Sequence, residues 1–382
     1  MNLKTISYKI LYNQKDITRD ISDHLLSLTY TDKVAGKSDE IEIELQDKDA
    51  LWQNEWYPKK GDTIQVDIIT PDLSLPCGKF TIDEIKLSTS KENGDTVTLS
   101  GLATSITKKL RTKKTTAHEN KSLKELANTI AANQGLTVQG TIPDIRFNRI
   151  TQNHESDLGF LNRLADNYGL IFSIRDNLLT FQKQTDLESK SPVVTVDKTE
   201  TIKAEFTERS DTSYKDVTVA WHNPNENEFL EYQEDYNDPA MQTDGAEDTT
   251  SADTLTIRMK AENKQQAEAL GKSHLHNKNK MGKMVNITTP GNTLIVSGNN
   301  VELTGFGKPS GVYHIIESKH TITKNEDYRT QWEGKKVAAI SPAKFKPKTS
   351  KNEELFPVPA HFGGALGAFE ILGSKPGFLK SN

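Results

Sequence analysis

The chain has 382 residues, the size of roughly two to three ordinary domains, so we expect more than one hydrophobic core. Its net charge of −5, with both signs abundant, excludes a polycation whose main task is to bind nucleic acid. No apolar run approaches the ~20 residues of a membrane-spanning helix, and the single cysteine, Cys77, excludes an intrachain disulfide and a thiolate metal cluster. We therefore expect no signal peptide or membrane anchor, and folding in a reducing cytoplasm.

The first hundred residues predict an antiparallel β domain. Segments with β-branched and alternating apolar residues are separated by Gly, Asp and Pro turns. We expect strands at residues 3–12, 24–31, 41–46, 63–70, 79–87 and 96–102. Together they predict a barrel or sandwich over residues 1–111.

Helical spacing begins at Ser122 and indicates a different module. Ser122 and Glu125 have the spacing of a capping box, and the helix that they start should end at Gly135. A second helix is expected at residues 157–168, followed by a hairpin of strands at 170–174 and 178–182. Residues 112–190 are thus predicted to form a small α/β insert domain.

Strands resume near Pro192 and predict a second β domain over residues 191–340. They should run through Trp221, stop at a polar acidic segment and a helix at 261–277, and continue from residue 284 to 337. The predicted fold class is therefore mainly β with an α/β insert, in which two tandem antiparallel β-barrel domains accompany the small α/β domain.

Residues 341–382 form a C-terminal extension of different composition. A lysine-rich spacer at 344–351 precedes an apolar tail that Gly and Pro interrupt. The tail is too apolar for a free linker and too rich in Gly for a long helix, so it is a candidate partner-binding segment; a disordered terminus is the alternative. The candidate partner-binding residues are Phe356, Phe362, Leu366, Phe369, Ile371 and Leu372.

The two β regions contain an internal repeat. Residues 61–66 and 78–85 of the first region have the same order of turn, strand, turn and aromatic strand as residues 298–303 and 311–318 of the second. Each block ends in a glycine 23 residues after its second turn glycine, at Gly101 and Gly334. We interpret this as one duplicated barrel, although any two antiparallel hairpins can share such a pattern.

The segment from Gln152 to Gly169 resembles a known family. It matches Q-x-x-E-S-D-x-x-F-L-x-R-L-A-x-x-x-G, the signature of the late-control gene D proteins of contractile-tailed phages, which type VI secretion spike proteins share. A second resemblance runs through residues 261–270, 290–305 and 311–320, and together the similarity covers about residues 1–340. The motif residues are Gln152, Glu155, Ser156, Asp157, Phe160, Leu161, Arg163, Leu164 and Gly169.

The resemblance implies a structural baseplate hub, located in the virion tail and assembled in the host cytoplasm. In this family the hub is a homotrimer with two tube-like barrels per subunit, and it joins the sixfold tail tube to the threefold spike. The implied partners are the tail tube protein, the central spike protein and other baseplate proteins, with DNA only as cargo through the lumen. No needle or effector domain follows the second barrel, so spike and lytic activities should belong to other chains. An infectious phage, a tailocin and another injection device all fit.

The sequence contains no convincing catalytic, metal or cofactor motif. His154 and Glu155 begin like a zinc-protease box, but no second histidine follows at helical spacing. His274 and His276 should splay apart on a helix, and His314 and His320 lack a third ligand. We expect no enzyme activity; the alternative is a tail-associated cell-wall hydrolase or a carbohydrate-binding protein.

Charge is uneven in two places. Residues 216–257 contain no Lys or Arg but many acidic residues, which fits a solvated loop or, alternatively, a surface that faces a tube lumen. A basic cluster lies at the boundary between the first β domain and the insert, and it could contact an acidic neighbour or only solvent. It consists of Lys108, Lys109, Arg111, Lys113 and Lys114.

Overall fold

The computed structural model describes residues 6–34, 37–71, 73–92, 94–103, 108–175, 178–209, 214–223, 228–235, 254–324 and 327–337. These residues form a mainly β protein with α/β parts, as the sequence predicts. Within these ranges, no helix combines the length and apolar character needed to cross a membrane.

The first β module contains every strand predicted in the first hundred residues. The strands alternate buried and exposed positions; in β4, for example, Ile41, Ile43 and Leu45 point into the core. The spatial order is β3-β4-β7-β6-β5-β1-β2. The elements are β1 (Ser7–Tyr12), β2 (Lys15–Asp16), α1 (Thr18–Ile21), β3 (Leu25–Lys33), β4 (Glu40–Gln46), β5 (Thr63–Ile69), β6 (Ser74–Ser90) and β7 (Gly94–Ala103).

The insert that follows has the two predicted helices and the predicted hairpin. The Ser122–Glu125 capping box is present, and Gly135 ends the first helix in the left-handed conformation. The sequence patterns do not predict the two-stranded antiparallel sheet of β8 and β10, because both strands are mostly polar and exposed. The elements are α2 (Lys108–Arg111), β8 (Lys113–Ser122), α3 (Leu123–Gln134), β9 (Thr137–Gly140), β10 (Arg146–Ser156), α4 (Asp157–Asn167), β11 (Leu170–Arg175), β12 (Leu178–Lys183) and α5 (Gln184–Glu188).

The second β module repeats the strand order of the first. Its spatial order is β14-β18-β21-β20-β19-β13, and its core contains Trp332, Tyr313 and Ile287. One difference is that β13 runs parallel to β19, whereas β1 is antiparallel to β5. The strands are β13 (Val194–Asp197), β14 (Lys203–Glu208), β18 (Lys283–Pro290), β19 (Asn300–Thr304), β20 (Gly311–Thr323) and β21 (Tyr328–Val337).

A further α/β unit interrupts the second module between β14 and β18, at the place where the sequence predicts an acidic segment and a helix. The strands β15 (Asp216–Asn223), β16 (Glu228–Asp235) and β17 (Thr254–Arg258) form a separate three-stranded sheet. Helix α6 (Lys264–Lys280) packs on it, because Val217, Val219 and Leu270 share one small core. The strand that ends near Trp221 therefore belongs to this unit and not to the large sheet.

The two β modules are joined edge to edge in one mainly antiparallel sheet. Strand β20 of the second module pairs with β3 of the first, which gives a continuous sheet of 13 strands. The main strand order is open at β14 and at β2 within the described residues, so the predicted tube-like barrels are not confirmed as closed units.

The strand register confirms the internal repeat. In β6–β7, Gly101 lies opposite Ile82 and a β-bulge follows in β6. In β20–β21, Gly334 lies opposite Ile315 and a β-bulge follows at the matching position of β20. Both glycines are crowded, since an added Cβ would lie within 3.1 Å of neighbouring atoms.

The turn before each block repeats the same hydrogen bonds. Gly61 donates its N–H to the carbonyl of Ile82 at 2.9 Å, and Gly298 donates to the carbonyl of Ile315 at 2.9 Å. Both turn glycines have positive φ, +95° and +83°, which favours glycine. Shared bulges and shared turn bonds exceed what two unrelated hairpins would have in common.

Candidate functional site

The family motif builds the corner where β10 enters helix α4. Ser156 is the N-cap, and its hydroxyl oxygen accepts a hydrogen bond from the N–H of Gly159 at 3.0 Å. Gln152 is fully buried and donates to the Glu155 carbonyl and to the Asp157 carboxylate, at 3.0 and 3.1 Å. These bonds fix the angle between strand and helix.

The charged motif residues are paired with one another or with a neighbour. Arg163 makes a bidentate salt bridge with Glu155, at 2.8 and 3.0 Å, and its guanidinium lies 5.3 Å from the ring centre of Phe160. Asp157 is buried and accepts a 2.8 Å salt bridge from Lys114. One lysine of the predicted basic cluster therefore meets an acidic neighbour.

The apolar motif residues form the core of the insert. Phe160, Leu161 and Leu164 are buried in one cluster with both helices and the small sheets. Gly169 ends the segment at a φ of +66°. The motif side chains are thus held by core packing and ion pairs, an arrangement that stabilises the fold of the insert.

The histidines considered as metal ligands lie apart. His154 is exposed in the bulge of β10, while His274 and His276 contact Asn167 and Glu188 separately. Among the described residues, no group of three or more His, Cys, Asp and Glu side chains could hold a metal ion.

A buried ion pair connects the insert to the second β module. The Glu188 carboxylate at the end of α5 lies 2.7 Å from the Lys335 ammonium of β21 and 2.7 Å from Nε2 of His276 in α6. Burial by itself would raise the pKa of Glu188, but the His276 hydrogen bond and the Lys335 charge lower it well below its usual range. Sequence alone gave no signal for this pair, because a lysine on a strand ordinarily faces solvent.

A second buried contact lies beside this pair. The Asn300 amide at the start of β19 donates to three carbonyls of the α5 end, those of Leu187, Glu188 and Lys190. Its oxygen therefore accepts from Nδ1 of His314, at 2.7 Å. Burial lowers the pKa of His314 to about 3.

The junction between the modules is a seven-residue antiparallel pairing. It runs from Ser27 opposite Thr323 to Lys33 opposite Glu317. On its buried side the Tyr30 ring stacks on His320 with centroids 6.0 Å apart. The junction therefore contributes to the core as well as to the sheet.

The second module also completes the core of the first. Val296, Ile322 and Tyr328 pack in the same cluster as the strands of the first module. The buried Asp32 carboxylate accepts a 2.7 Å hydrogen bond from the backbone N–H of Ser297. The two modules therefore share core packing and a buried hydrogen bond in addition to the strand pairing.

Two sequence hypotheses fall at least partly outside the described residues. All of residues 341–382 lie there, including the candidate partner-binding side chains of the tail. The acidic segment is described only at its strands, where Glu234 of β16 lies 3.4 Å from Lys272 of α6.

Comparisons with known proteins agree with the motif and the fold. The family model for the phage tail baseplate hub (GPD) matches residues 82–326. A probable baseplate hub protein of Escherichia phage P2 is 30% identical over 224 residues, which cover 57% of this chain and 56% of the phage protein.

Solved structures share the fold at low identity. A tail protein from Neisseria meningitidis MC58 superimposes with a TM-score of 0.62 at 14% identity, covering 87% of this chain and 96% of that one. A chain of the Francisella PdpA-VgrG complex gives a TM-score of 0.51 at 11% identity, covering 93% of this chain and 56% of that one. Since the family model spans well over half of the sequence, the chain belongs to the phage tail baseplate hub family.

Proposed function

We propose that the chain is a structural, non-enzymatic baseplate hub that works as a trimeric adaptor between a sixfold tail tube and a threefold spike. The observation that carries the proposal is the pair of register-matched β modules joined edge to edge through β3 and β20. Three chains would then supply six similar modules around one axis, while each chain supplies one insert.

The proposed domain organisation follows the same division. A first tube-like module would occupy residues 1–111, the α/β insert 112–190 and the second tube-like module 191–340. Each tube-like module would be one sector of a ring wall, which is how an open sheet can line a tube without leaving free strand edges.

The proposed partners are the tail tube protein, the central spike protein and other baseplate proteins, with DNA only as cargo through the lumen. The curated relative from phage P2 carries the name of a probable baseplate hub, which supports a place in the virion baseplate. Assembly would take place in the host cytoplasm. Residues 341–382 would dock on one of these partners.

The decisive test is the copy number of the chain in purified particles. We expect three copies per particle, located by cryo-electron microscopy as one ring between tube and spike. Six copies in that ring, or particles that lack the chain, would overturn the proposal.

The runner-up function, a cell-wall hydrolase, is tested separately. The polar motif residues are held in internal bonds, so we expect no clearing by the purified chain in a peptidoglycan zymogram. Clearing that persists after repurification would show that the hub also carries an activity.

A further inference from the structure

We infer that neighbouring copies of this chain join by pairing β14 of one copy with the second half of β6, residues 84–89, of the next. The inference rests on the proposed ring and names the two edges that close it. The partner is therefore a second copy of this chain, bound by antiparallel backbone pairing.

The junction inside the chain serves as the template. Strand β20 corresponds to β6, because the two share the glycine register and the bulge. Strand β3 corresponds to β14, because each pairs with the strand beside its glycine-bearing strand, β4 in the first module and β18 in the second. Because β3 pairs with β20 inside the chain, the corresponding pair between copies is β14 with β6.

Both strands present an unpaired edge among the described residues. Strand β5 covers β6 only as far as Thr81, while β7 continues along the opposite edge to Ser90. Strand β14 pairs with β18 on one side and ends the sheet on the other. Such edges attract another strand unless they are covered.

The template also fixes the register. The stacked pair Tyr30 and His320 of the internal junction corresponds to Phe206 of one copy opposite Leu87 of the next. The neighbouring positions follow as Ala204 opposite Thr89, Glu205 opposite Ser88, Thr207 opposite Lys86, and Glu208 opposite Ile85.

The side chains on the two edges suit this register. Leu87 is 44% exposed although it is apolar, and pairing would cover it with Phe206. Ile202, just before β14, is 51% exposed and would also lie at the contact. Glu208 takes the position of Asp32, whose carboxylate binds a backbone N–H of the other module in the internal junction.

The alternation of hydrogen-bonded and non-hydrogen-bonded residue pairs shows where a disulfide cross-link fits. In the internal junction Lys324 donates to the Leu26 carbonyl and Val34 to the Ile316 carbonyl, so Thr29 and Thr321 form a non-hydrogen-bonded pair. The corresponding pair between copies is Glu205 and Ser88. Cα atoms of such a pair lie about 4.5 Å apart, within the range a disulfide tolerates.

The test is disulfide trapping in the full chain, whose native Cys77 is buried. In S88C/E205C we expect interchain disulfides that build a ladder ending at a closed trimer, with the linked peptides identified by mass spectrometry. The shifted pair S88C/T207C should cross-link about tenfold less, because a slip of two residues moves the cysteines apart. T29C/T321C is the internal control and should close within one chain.

Equal yields from the two interchain pairs, or no interchain disulfide from S88C/E205C at the highest soluble concentration, would overturn the inference. Particle analysis separates this failure from that of the proposed function. If particles contain three copies of the chain but the cross-link does not form, the proposed hub function stands and the edge pairing is refuted. If the cross-linked trimer forms but particles lack the chain, the edge pairing stands and the proposed hub function is refuted.

Discussion

At the scale of single residues, His314 links folding to pH. It is fully buried, and burial holds its pKa at about 3 against an ordinary value of 6.5. A lowered pKa means that the unfolded state takes up a proton first, so stability is complete above pH 6.5 and falls as the pH drops toward 3.

We therefore expect the chain to lose on the order of 2–3 kcal/mol of unfolding free energy from His314 between pH 6.5 and pH 4.5. In H314Q this part of the loss should disappear, as measured by urea unfolding at both pH values. H154Q, at an exposed histidine, serves as the control and should keep the wild-type slope. An unchanged slope in H314Q would refute the neutral buried histidine.

Lys335 should be one of the most sensitive positions in the chain. K335M removes the ammonium that lies 2.7 Å from buried Glu188, so the buried carboxylate loses its lysine partner and keeps only its hydrogen bonds with Gln184 and His276. Breaking such a pair costs about 3–5 kcal/mol, measurable as a lower urea midpoint. K319M, at an exposed lysine of β20, should change stability little.

Adding E188Q to K335M removes the unpaired charge and should recover part of the loss. A double variant no more stable than K335M would show that Lys335 acts through packing instead of charge.

At the scale of elements, helix α4 depends on its apolar face. L161D places a charge without a partner in the core of the insert, which should cost several kcal/mol and unfold this region. The matched variant N128D adds the same side chain at an exposed position of α3 and should melt like wild type. A wild-type melting curve for L161D would contradict the core position of this side chain.

Elements with a strong local pattern could be predicted from the sequence, and the others could not. The Ser122 capping box, the two insert helices and the alternating strands of the first module all carry local signals, and the structure contains them. Strand β8 carries none, because its polar residues are held by backbone pairing with β10. The separate sheet of β15, β16 and β17 could not be predicted. The apolar pattern of Val217, Val219 and Trp221 indicates a buried strand, but it does not indicate which sheet contains that strand.

The same division applies to the candidate site. The motif and the repeat were visible as residue patterns, whereas the junction of β3 with β20 was not. These two strands lie 292 residues apart in the sequence at Thr29 and Thr321, and their pairing depends on two open sheet edges that meet only in the folded protein. No short stretch of sequence encodes that contact. Glu188 and Lys335 likewise find each other only because three elements converge.

At the scale of the whole molecule, the C-terminal extension is predicted to be separable from the fold. Deleting residues 352–382 should leave the melting temperature unchanged and weaken co-purification with the spike or another tail component, since its apolar residues would serve docking. The measurement is a pull-down with full-length and truncated chains. Equal recovery of partners would refute the docking role.

The junction of β3 and β20 has a consequence for the growing polypeptide on the ribosome. Thr29 and Thr321 meet across 292 positions of sequence. At ~5–20 residues per second, translation needs about 15–60 s between them. During that interval the edge of β3 has no β20 to cover it, and the first core still lacks Val296, Ile322 and Tyr328. A nascent chain is therefore prone to aggregate for the whole time between the synthesis of β3 and that of β20. The yield of folded protein should depend on how fast the residues between these strands are translated and on whether a chaperone covers the open edge.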